Sequence, residues 1–346
     1  MKRSWVEVSL SKLQHNHSVI RQLIPSQTEV IAVVKADAYG HGMAKVASRL
    51  WSCGVRSFGV ADVREGVKLR QVLPDAEITV FGGCDPGSEK VFASSDLTAA
   101  VFDDRALPAD LKVQLKIDTG MGRLGVPWAR AEKMVGEYPG PITGVYSTFS
   151  SSDLSREATL QQLRRFNEIT SRLGIRRHIS NSAGLQYSEA HLDAVRPGLA
   201  LYGIALCPAL AALRPVLRWK ARIMTINELP TEASVGYGRN FTTKRPSRIA
   251  VLPVGYADGY RRLFSNCGKV LTAFGLAPVV GNVSMDLTAI DVTDLPEVRT
   301  GDDVVLLDDD PGSELSAVQL AAALGTIPYE VLTLIGRRVE RVYLGA

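Results

Sequence analysis

The sequence predicts an α/β protein: a (β/α)8 barrel of the TIM type followed by a mainly β C-terminal domain. Three observations carry that prediction. Between about residues 10 and 205, short apolar, β-branched runs recur and are separated by helical patterns, which is the rhythm of repeated βα units. Lys35, Asp118, Thr148, Asn181 and Arg196 all fall at or just beyond the C-terminal ends of such runs, where the loops of a barrel build its site. After about residue 217 the pattern changes to short alternating runs divided by Gly, Pro and Asn turns.

Eight strands are predicted in the first region, at 30–34, 57–61, 78–81, 97–102, 112–117, 142–148, 178–180 and 193–196. Helices are predicted at roughly 42–53, 62–73, 86–94, 127–137 and 155–173, the last with Leu160, Leu163, Phe166, Ile169 and Leu173 at helical spacing. The helical pattern is weakest near 104–110. Residues 1–216 are assigned to the barrel and 217–346 to the β domain, with about the first nine residues pairing with the latter. In the second region the runs at 222–226, 248–254, 270–272 and 304–307 are read as strands, and Asp308-Asp309-Asp310 as a solvated turn.

Composition sets the class. The chain has 346 residues, 46% of them hydrophobic and 22% charged, which suffices for a full core and excludes a disordered chain. The formal charge of +4 arises from 40 basic and 36 acidic residues without a block of one sign, so neither a nucleic-acid nor a membrane surface is expected. The four cysteines show neither zinc spacing nor a disulfide framework, so no metal is expected and the thiols read as reduced. With an N-terminus unlike a signal peptide and no apolar run long enough to span a bilayer, a cytoplasmic location is expected.

Lys35 follows the apolar run Ile31-Ala32-Val33-Val34, so its ammonium stands at the barrel mouth, where partial desolvation makes an amine nucleophilic. Taken alone, such a lysine is better read as a side chain snorkelling from a buried strand; its neighbours overturn that reading. The stretch Ala32-Val33-Val34-Lys35-Ala36-Asp37-Ala38-Tyr39-Gly40-His41-Gly42 resembles the cofactor-lysine signature of alanine racemases, pyridoxal-phosphate enzymes built on a barrel. Leu115-Lys116-Ile117-Asp118-Thr119-Gly120-Met121-Gly122-Arg123-Leu124-Gly125 and Val195-Arg196-Pro197-Gly198-Leu199-Ala200-Leu201-Tyr202-Gly203 extend the resemblance over nearly the whole chain, in order.

The resemblance implies that Lys35 carries pyridoxal phosphate as a Schiff base and also acts as a base. It implies that Arg196 hydrogen-bonds the pyridine nitrogen. A guanidinium is a permanent donor, so the ring nitrogen stays unprotonated and the cofactor is a weaker electron sink. Phosphate binding is implied for Ser182, Gly198 and Leu199, with hydroxyls from Tyr39 and Tyr329; Asn181-Ser182-Ala183-Gly184 also reads as a helix cap.

Racemisation needs a base on each face of the Cα carbon. Tyr237, in Ser234-Val235-Gly236-Tyr237-Gly238-Arg239-Asn240-Phe241, resembles the family tyrosine that reaches the partner subunit's site, which implies a homodimer with shared active sites. By the same resemblance Arg123 lies near the cofactor and substrate carboxylate, and Lys116 is the lysine whose carbamylation orients that arginine. Met285 and Asp286 complete the carboxylate site from the second subunit, and Tyr256 supports its mouth. The family usually has a histidine, stacked on the cofactor ring, where this chain has Thr148; none of His15, His17, His41, His178 and His191 is an obvious replacement.

Gly120, Gly122 and Gly125 also spell Gly-x-Gly-x-x-Gly after a strand, the dinucleotide fingerprint, but the next strand ends at Thr148 rather than at an acid, so a turn is the preferred reading. The implied function is interconversion of L- and D-alanine, supplying D-alanine for peptidoglycan. A serine or broad-specificity racemase is the nearer alternative. A non-catalytic pyridoxal-phosphate carrier is the more distant one, and the β domain and Tyr237 argue against it. A decarboxylase lacks support, since no cysteine-bearing motif stands near the C-terminus.

Overall fold

The computed structural model describes residues 3–345 except 104 and 106. The chain divides into two compact units, Lys12–Leu213 and the residues up to Ser11 together with those from Arg214 on. Strand β1 (Ser4–Ser9) belongs to the second unit, and helix α1 (Leu10–Leu23) leads into the first.

In the first unit eight parallel strands close on themselves. They are β2 (Glu29–Val33), β3 (Ser57–Val60), β4 (Glu77–Val80), β5 (Thr98–Val101), β6 (Val113–Asp118), β8 (Ile142–Tyr146), β9 (Arg177–His178) and β10 (Ala194–Val195); β10 pairs with β2, and β5 with β6. A two-residue strand, β7 (Val126–Pro127), extends β6 outside the ring. All eight predicted strands are thus present, and the fold is the expected barrel. The last two are only two residues long, although backbone pairing continues just beyond them, where the Arg196 amide donates to the Ser180 carbonyl at 2.9 Å.

The surrounding helices are less regular than predicted. After β2 comes the short segment α2 (Lys35–Tyr39), then α3 (Met43–Ser52), α4 (Val63–Val72), α5 (Glu89–Ser94), α6 (Ala131–Glu137) and α7 (Arg156–Thr170). Helix α4 starts where Asp62 accepts from the Glu65 amide, and α7 where Ser155 accepts from that of Ala158; Leu163, Phe166 and Ile169 turn its apolar face inward. Within 104–110, positions 104 and 106 lie outside the described residues, and the described remainder is turn and irregular chain rather than helix.

Segment α2 is a left-handed turn. Ala36, Asp37, Ala38 and Tyr39 have φ of +52°, +52°, +55° and +54°, and none is glycine. Each such L-residue costs about 1–2 kcal/mol, so the surrounding structure must hold the turn in place. Pattern reading expected helix only from about residue 42, because no glycine before Gly40 signals the reversal of hand.

Inside the barrel the polar residues are stacked in layers. At the N-terminal end Arg176 donates to both Glu77 oxygens at 2.8 Å, and also to Glu29 and to Ser57. Above them Gln114 on β6 meets His178 on β9, whose ring stacks on Tyr146 at 5.1 Å. The C-terminal end carries Lys116 and Arg196, both buried.

The second unit is mainly β. Strands β11 (Leu217–Arg222), β14 (Lys269–Thr272), β15 (Gly275–Pro278), β17 (Asp303–Leu307) and β18 (Glu340–Leu344) join β1 in one sheet, ordered β15-β14-β17-β11-β1-β18. β12 (Thr225–Leu229), β13 (Ser247–Leu252) and β16 (Thr288–Asp291) form a second, antiparallel sheet. The run at 222–226, expected as one strand, is where the chain leaves the first sheet for the second. Two helices unforeseen in the sequence, α8 (Ala317–Ala323) and α9 (Pro328–Thr333), follow β17. Asp308 departs from the expected solvated turn: it is buried and paired with Arg218 at 3.2 Å, leaving only Asp310 fully exposed.

Arg176→Met should lower stability by about 1–2 kcal/mol, because it leaves Glu29 and Glu77, both partly solvated, facing each other without a cation. Lys133→Met, which removes only the exposed 3.8 Å pair with Glu137, should change it by less than about 0.5 kcal/mol. Paired urea-unfolding curves measure the difference.

Candidate active site

Four cations converge at the C-terminal mouth of the barrel. Lys35 follows β2, Lys116 stands in β6, Arg123 lies on the loop after β6, and Arg196 follows β10. No acidic side chain forms a salt bridge with any of them among the described residues. Burial lowers the pKa of the Lys35 amine, and Arg123 lowers it further while Glu65 opposes the shift. Burial likewise brings Lys116 down to about 8, aided by Arg123, Arg196 and Lys35 and opposed by Asp118. The Lys116 amine is therefore partly neutral near physiological pH, with the charged form still in the majority.

The Arg123 loop is a folded turn. Asp118 accepts from the amides of Gly120 at 2.9 Å, Met121 at 2.8 Å and Gly122 at 2.9 Å. A Cβ on Gly125 would lie 2.6 Å from the Asp118 amide nitrogen, so this glycine is needed for the loop to close on its own strand. The chain continues as β7, not as a helix opening on a ligand, which removes the dinucleotide reading.

Arg196 is buried and all its partners are neutral. It donates to the Ser147 carbonyl at 2.5 Å, Thr148 Oγ1 at 3.1 Å, the Ile179 carbonyl at 3.3 Å and His178 Nδ1. Burial lowers its pKa to about 10, so the guanidinium remains charged at neutral pH. Since a guanidinium only donates, His178 Nδ1 must accept, and the ring proton sits on Nε2, which donates to Gln114 Oε1 at 3.0 Å. Burial, with Arg196 and Arg176 nearby, holds His178 neutral. The Tyr146 ring lies 5.1 Å from the guanidinium carbon, and its buried hydroxyl has no partner among the described residues.

Sequence reading passed over His178 as a site residue; its one signal was a polar side chain in an apolar strand facing the barrel interior. Thr148, where the family resemblance leads one to expect an aromatic ring, contributes a hydroxyl to Arg196.

Beside this cluster Ser182 Oγ accepts from the amides of Gly198 at 3.0 Å and Ala200 at 3.1 Å. The Tyr39 hydroxyl lies so close to Gly198 that a Cβ there would meet it at 2.5 Å. Leu199, fully buried, joins Gly198 to Ala200 in the same turn. Ser182 holds the N-cap position of the following 3-10 turn, Ala183–Gln186, but the capping side chain is that of Asn181, whose Oδ1 accepts from the Gly184 amide at 2.9 Å and from the Ser152 hydroxyl at 2.8 Å. The structure therefore brings Tyr39, Asn181, Ser182, Gly198 and Leu199 to one corner of the mouth.

Tyr237, Tyr256, Met285, Asp286 and Tyr329 belong to the second unit. Tyr237 is 76% exposed, on a loop whose carbonyl at that residue accepts from Asn282 Nδ2 at 2.7 Å. Asn282 in turn accepts from Asn240 at 2.7 Å, so it ties the Tyr237 loop to the segment carrying Met285. The sequence offered no pattern by which to single Asn282 out. The amides of Tyr256 and Ala257 donate to the Ser284 and Met285 carbonyls, each at 3.0 Å. Asp286 is engaged by Arg338 at 2.7 Å, which also grips Asp258 through two bonds. Tyr329 lies in the first turn of α9, its carbonyl accepting from Thr333 at 2.8 Å.

Chemically, the barrel mouth offers an amine of lowered basicity within an excess of fixed positive charge. Such a site suits an anionic ligand and proton transfer by nitrogen.

Comparison with known proteins agrees. Residues 8–206 match the family described as alanine racemase, N-terminal domain, and residues 216–343 the alanine racemase C-terminal domain. An alanine racemase of Halothermothrix orenii is 38% identical, covering 98% of this chain and 96% of that protein. Among solved structures, the biosynthetic alanine racemase of Pseudomonas aeruginosa superposes with a TM-score of 0.88 at 34% identity over 100% of both chains. The alanine racemase of Bartonella henselae with covalently bound pyridoxal phosphate superposes with a TM-score of 0.90 at 29% identity over 99% of this chain and 100% of that one.

The Lys116 amine titrates at about 8 in the folded chain against an ordinary 10.5, so the fold is penalised while this amine is charged. The penalty is full below about 8 and is relieved as pH rises toward 10.5. In buffer free of carbon dioxide, Lys116→Met should therefore be the more stable protein at neutral pH, by roughly 1–3 kcal/mol. That advantage should vanish by pH 10.5, as urea-unfolding midpoints across the range will register.

Proposed function

The chain belongs to the alanine racemase family and is a racemase, and from that premise we propose that Lys35 and the Tyr237 of a second copy are its two bases. Pyridoxal phosphate, the cofactor of the family, fits the residues present. The observation that carries the reading is the cluster of Lys35, Lys116, Arg123 and Arg196, none of them in a salt bridge among the described residues and only Glu65 and Asp118 opposing the positive charge, an excess that an anionic cofactor and a substrate carboxylate would balance. Two further features support it: the buried, unpartnered Tyr146 hydroxyl, and the Ser182–Gly198 corner, where a side chain larger than hydrogen would collide with Tyr39.

We assign the phosphate to Ser182, Gly198, Leu199, Tyr39, Asn181 and Tyr329, through backbone amides and hydroxyls. Arg196 would donate to the ring nitrogen, its neutral partners leaving the full charge of the guanidinium for that bond. When bound, pyridoxal phosphate makes the Cα proton of an amino acid removable by delocalising the charge left on that carbon.

The protein's own residues then have three tasks. Lys35, its affinity for protons lowered by burial and Arg123, takes or returns the proton on one face. Tyr237, exposed on its loop, serves the opposite face in the site of a second copy, which makes the enzyme a homodimer with shared active sites. Arg123 and the Met285 backbone hold the substrate carboxylate; the Met285 amide has no partner among the described residues. An unmodified Lys116 repels Arg123, and its partly neutral amine is the form that takes up carbon dioxide, so carbamylation would convert the repulsion into an acceptor for that arginine. Asp286, Tyr256 and Thr148 act as supports.

We further propose that the product D-alanine serves peptidoglycan and that the enzyme works in the cytoplasm; all four cysteines are free thiols, which suits a reducing compartment. No helix among the described residues is long and apolar enough to cross a membrane.

Purified protein loaded with pyridoxal phosphate should exchange the Cα proton of alanine for deuterium and racemise it, and Lys35→Ala should lose about 10²–10⁴ of that rate together with the visible absorption of lysine-bound cofactor. Retention of both by Lys35→Ala would remove its role.

Tyr237→Phe needs a different readout. Enantiomers have equal energies, so kcat/KM must fall equally in both directions; the asymmetry appears only in exchange. One enantiomer should keep exchanging its Cα proton with solvent while racemisation falls about 10²–10⁴-fold. Equal loss of exchange from both enantiomers counts against the second base. Comparison of kcat/KM for alanine and serine will set the substrate range.

A further inference from the structure

The left-handed segment that follows Lys35 is fastened at both ends. At its exit Asp37 Oδ1 accepts from the Met43 amide at 2.8 Å. Within it the Ala38 amide donates to the Val34 carbonyl at 2.8 Å, that of Gly40 to Ala36 at 3.0 Å and that of Gly42 to Asp37 at 2.9 Å. At its start the amide of Ala36, the residue directly after Lys35, donates to Glu65 Oε1 at 2.7 Å. The other oxygen of the same carboxylate, Oε2, accepts from the Ala61 amide at 2.9 Å, just beyond the end of β3. Glu65 sits in the first turn of α4, where its own amide is capped by Asp62 at 2.9 Å. One carboxylate, held rigidly by a helix start, thus bridges the ends of two neighbouring barrel strands. Both bridging bonds are charge-assisted, the stronger kind of hydrogen bond.

We propose that Glu65 is a positioning residue for Lys35: its two oxygens lock the strained turn that carries the lysine to the rim of β3 and set a negative charge beside the amine. The proposal rests on the reading of Lys35 as the cofactor lysine and base. Glu65 acts through the Ala36 amide and through its field, not by touching reacting atoms. The charged groups acting on the amine are Arg123, from the loop after β6, and Lys116, on β6, both of which repel a proton, while Glu65 on α4 attracts one. Below the turn, Tyr202 packs at a tilt against Tyr39, with ring centroids 4.9 Å apart, and donates to the Val33 carbonyl at 3.0 Å, which supports the same turn from the interior. A charge-neutral residue at 65 would leave the two repelling cations unopposed and free one end of a turn that L-residues adopt only under constraint.

The test uses full-length protein freed of cofactor, with Glu65→Gln and Glu65→Asp beside the parent. Two quantities are read: amide hydrogen exchange over residues 36–42, and the pH midpoint of Lys35 reductive methylation followed by peptide mass spectrometry. Glu65→Gln should speed exchange roughly tenfold or more, the loss of a charge-assisted bond, and move the Lys35 midpoint downward. Glu65→Asp keeps the charge but is too short to reach both amides, so exchange should speed up while the midpoint stays near the parent's.

Exchange within about twofold of the parent in both variants, or a Lys35 midpoint unmoved by Glu65→Gln, overturns the proposal. Should the Gln variant fail to fold, the Asp variant decides: faster exchange at a parent-like midpoint supports the proposal, and unchanged exchange overturns it. Lys35→Ala that still binds pyridoxal phosphate and racemises alanine defeats the reading of Lys35 itself, yet leaves both of these measurements on Glu65 to stand or fall on their own.

Discussion

The constraint on which this site depends is a buried guanidinium with no anion to answer it. Arg196 lies at the floor of the barrel mouth, and each of its partners is a neutral acceptor: two carbonyls, a hydroxyl and an imidazole nitrogen. A charge so placed is tolerated because Nη1 and Nη2 both find acceptors, and removing an acceptor costs more than the bond contributed. The constraint propagates downward. Because Arg196 can only donate, His178 is fixed as one tautomer, and Gln114 beneath it must present its oxygen. It also propagates sideways, since Arg196 and Arg123 depress the proton affinity of Lys116. A carboxylate at any of these positions would neutralise the field on which recognition of an anion depends.

Strain is the second organising element. Four consecutive left-handed L-residues follow Lys35, and such a turn persists only where its surroundings over-determine it. Here the determinants are Asp37 at one end, Glu65 at the other and the Tyr39–Tyr202 packing beneath. The turn aims the lysine at the mouth and swings the Tyr39 hydroxyl against Gly198, so one backbone distortion serves both the proposed base and the proposed phosphate corner. The second unit handles its candidate residues differently. Tyr237 and Met285 sit on exposed loops that are tied to each other through Asn282 and leave their side chains uncovered.

Pattern reading reached most of the barrel and several of the candidate residues that the structure brings to its mouth. Apolar β-branched runs at regular spacing mark all eight barrel strands, since a parallel strand buried on both faces leaves little freedom of composition. Strand-end polars identify Lys35 and Arg196 for the same reason. The α/β rhythm did not reveal that the 222–226 run divides between two sheets, that Asp308 is buried against Arg218, or that the side chain of Asn181, not that of Ser182, caps its turn. Each of these depends on a partner distant in sequence, and local periodicity carries no record of it.

By itself, then, the sequence determined the barrel, the β domain and the family: alternation, turn residues and motif order are local properties written residue by residue. Only the tertiary structure decided how the charges are answered. That Arg196 is met by Thr148 and His178, that burial beside two arginines brings the Lys116 amine down to about 8, and that Glu65 grips the amide beside Lys35 all follow from distances across the barrel. Electrostatic and hydrogen-bond energies change steeply over a few ångströms, and those distances are set by closure of the sheet, not by spacing along the chain.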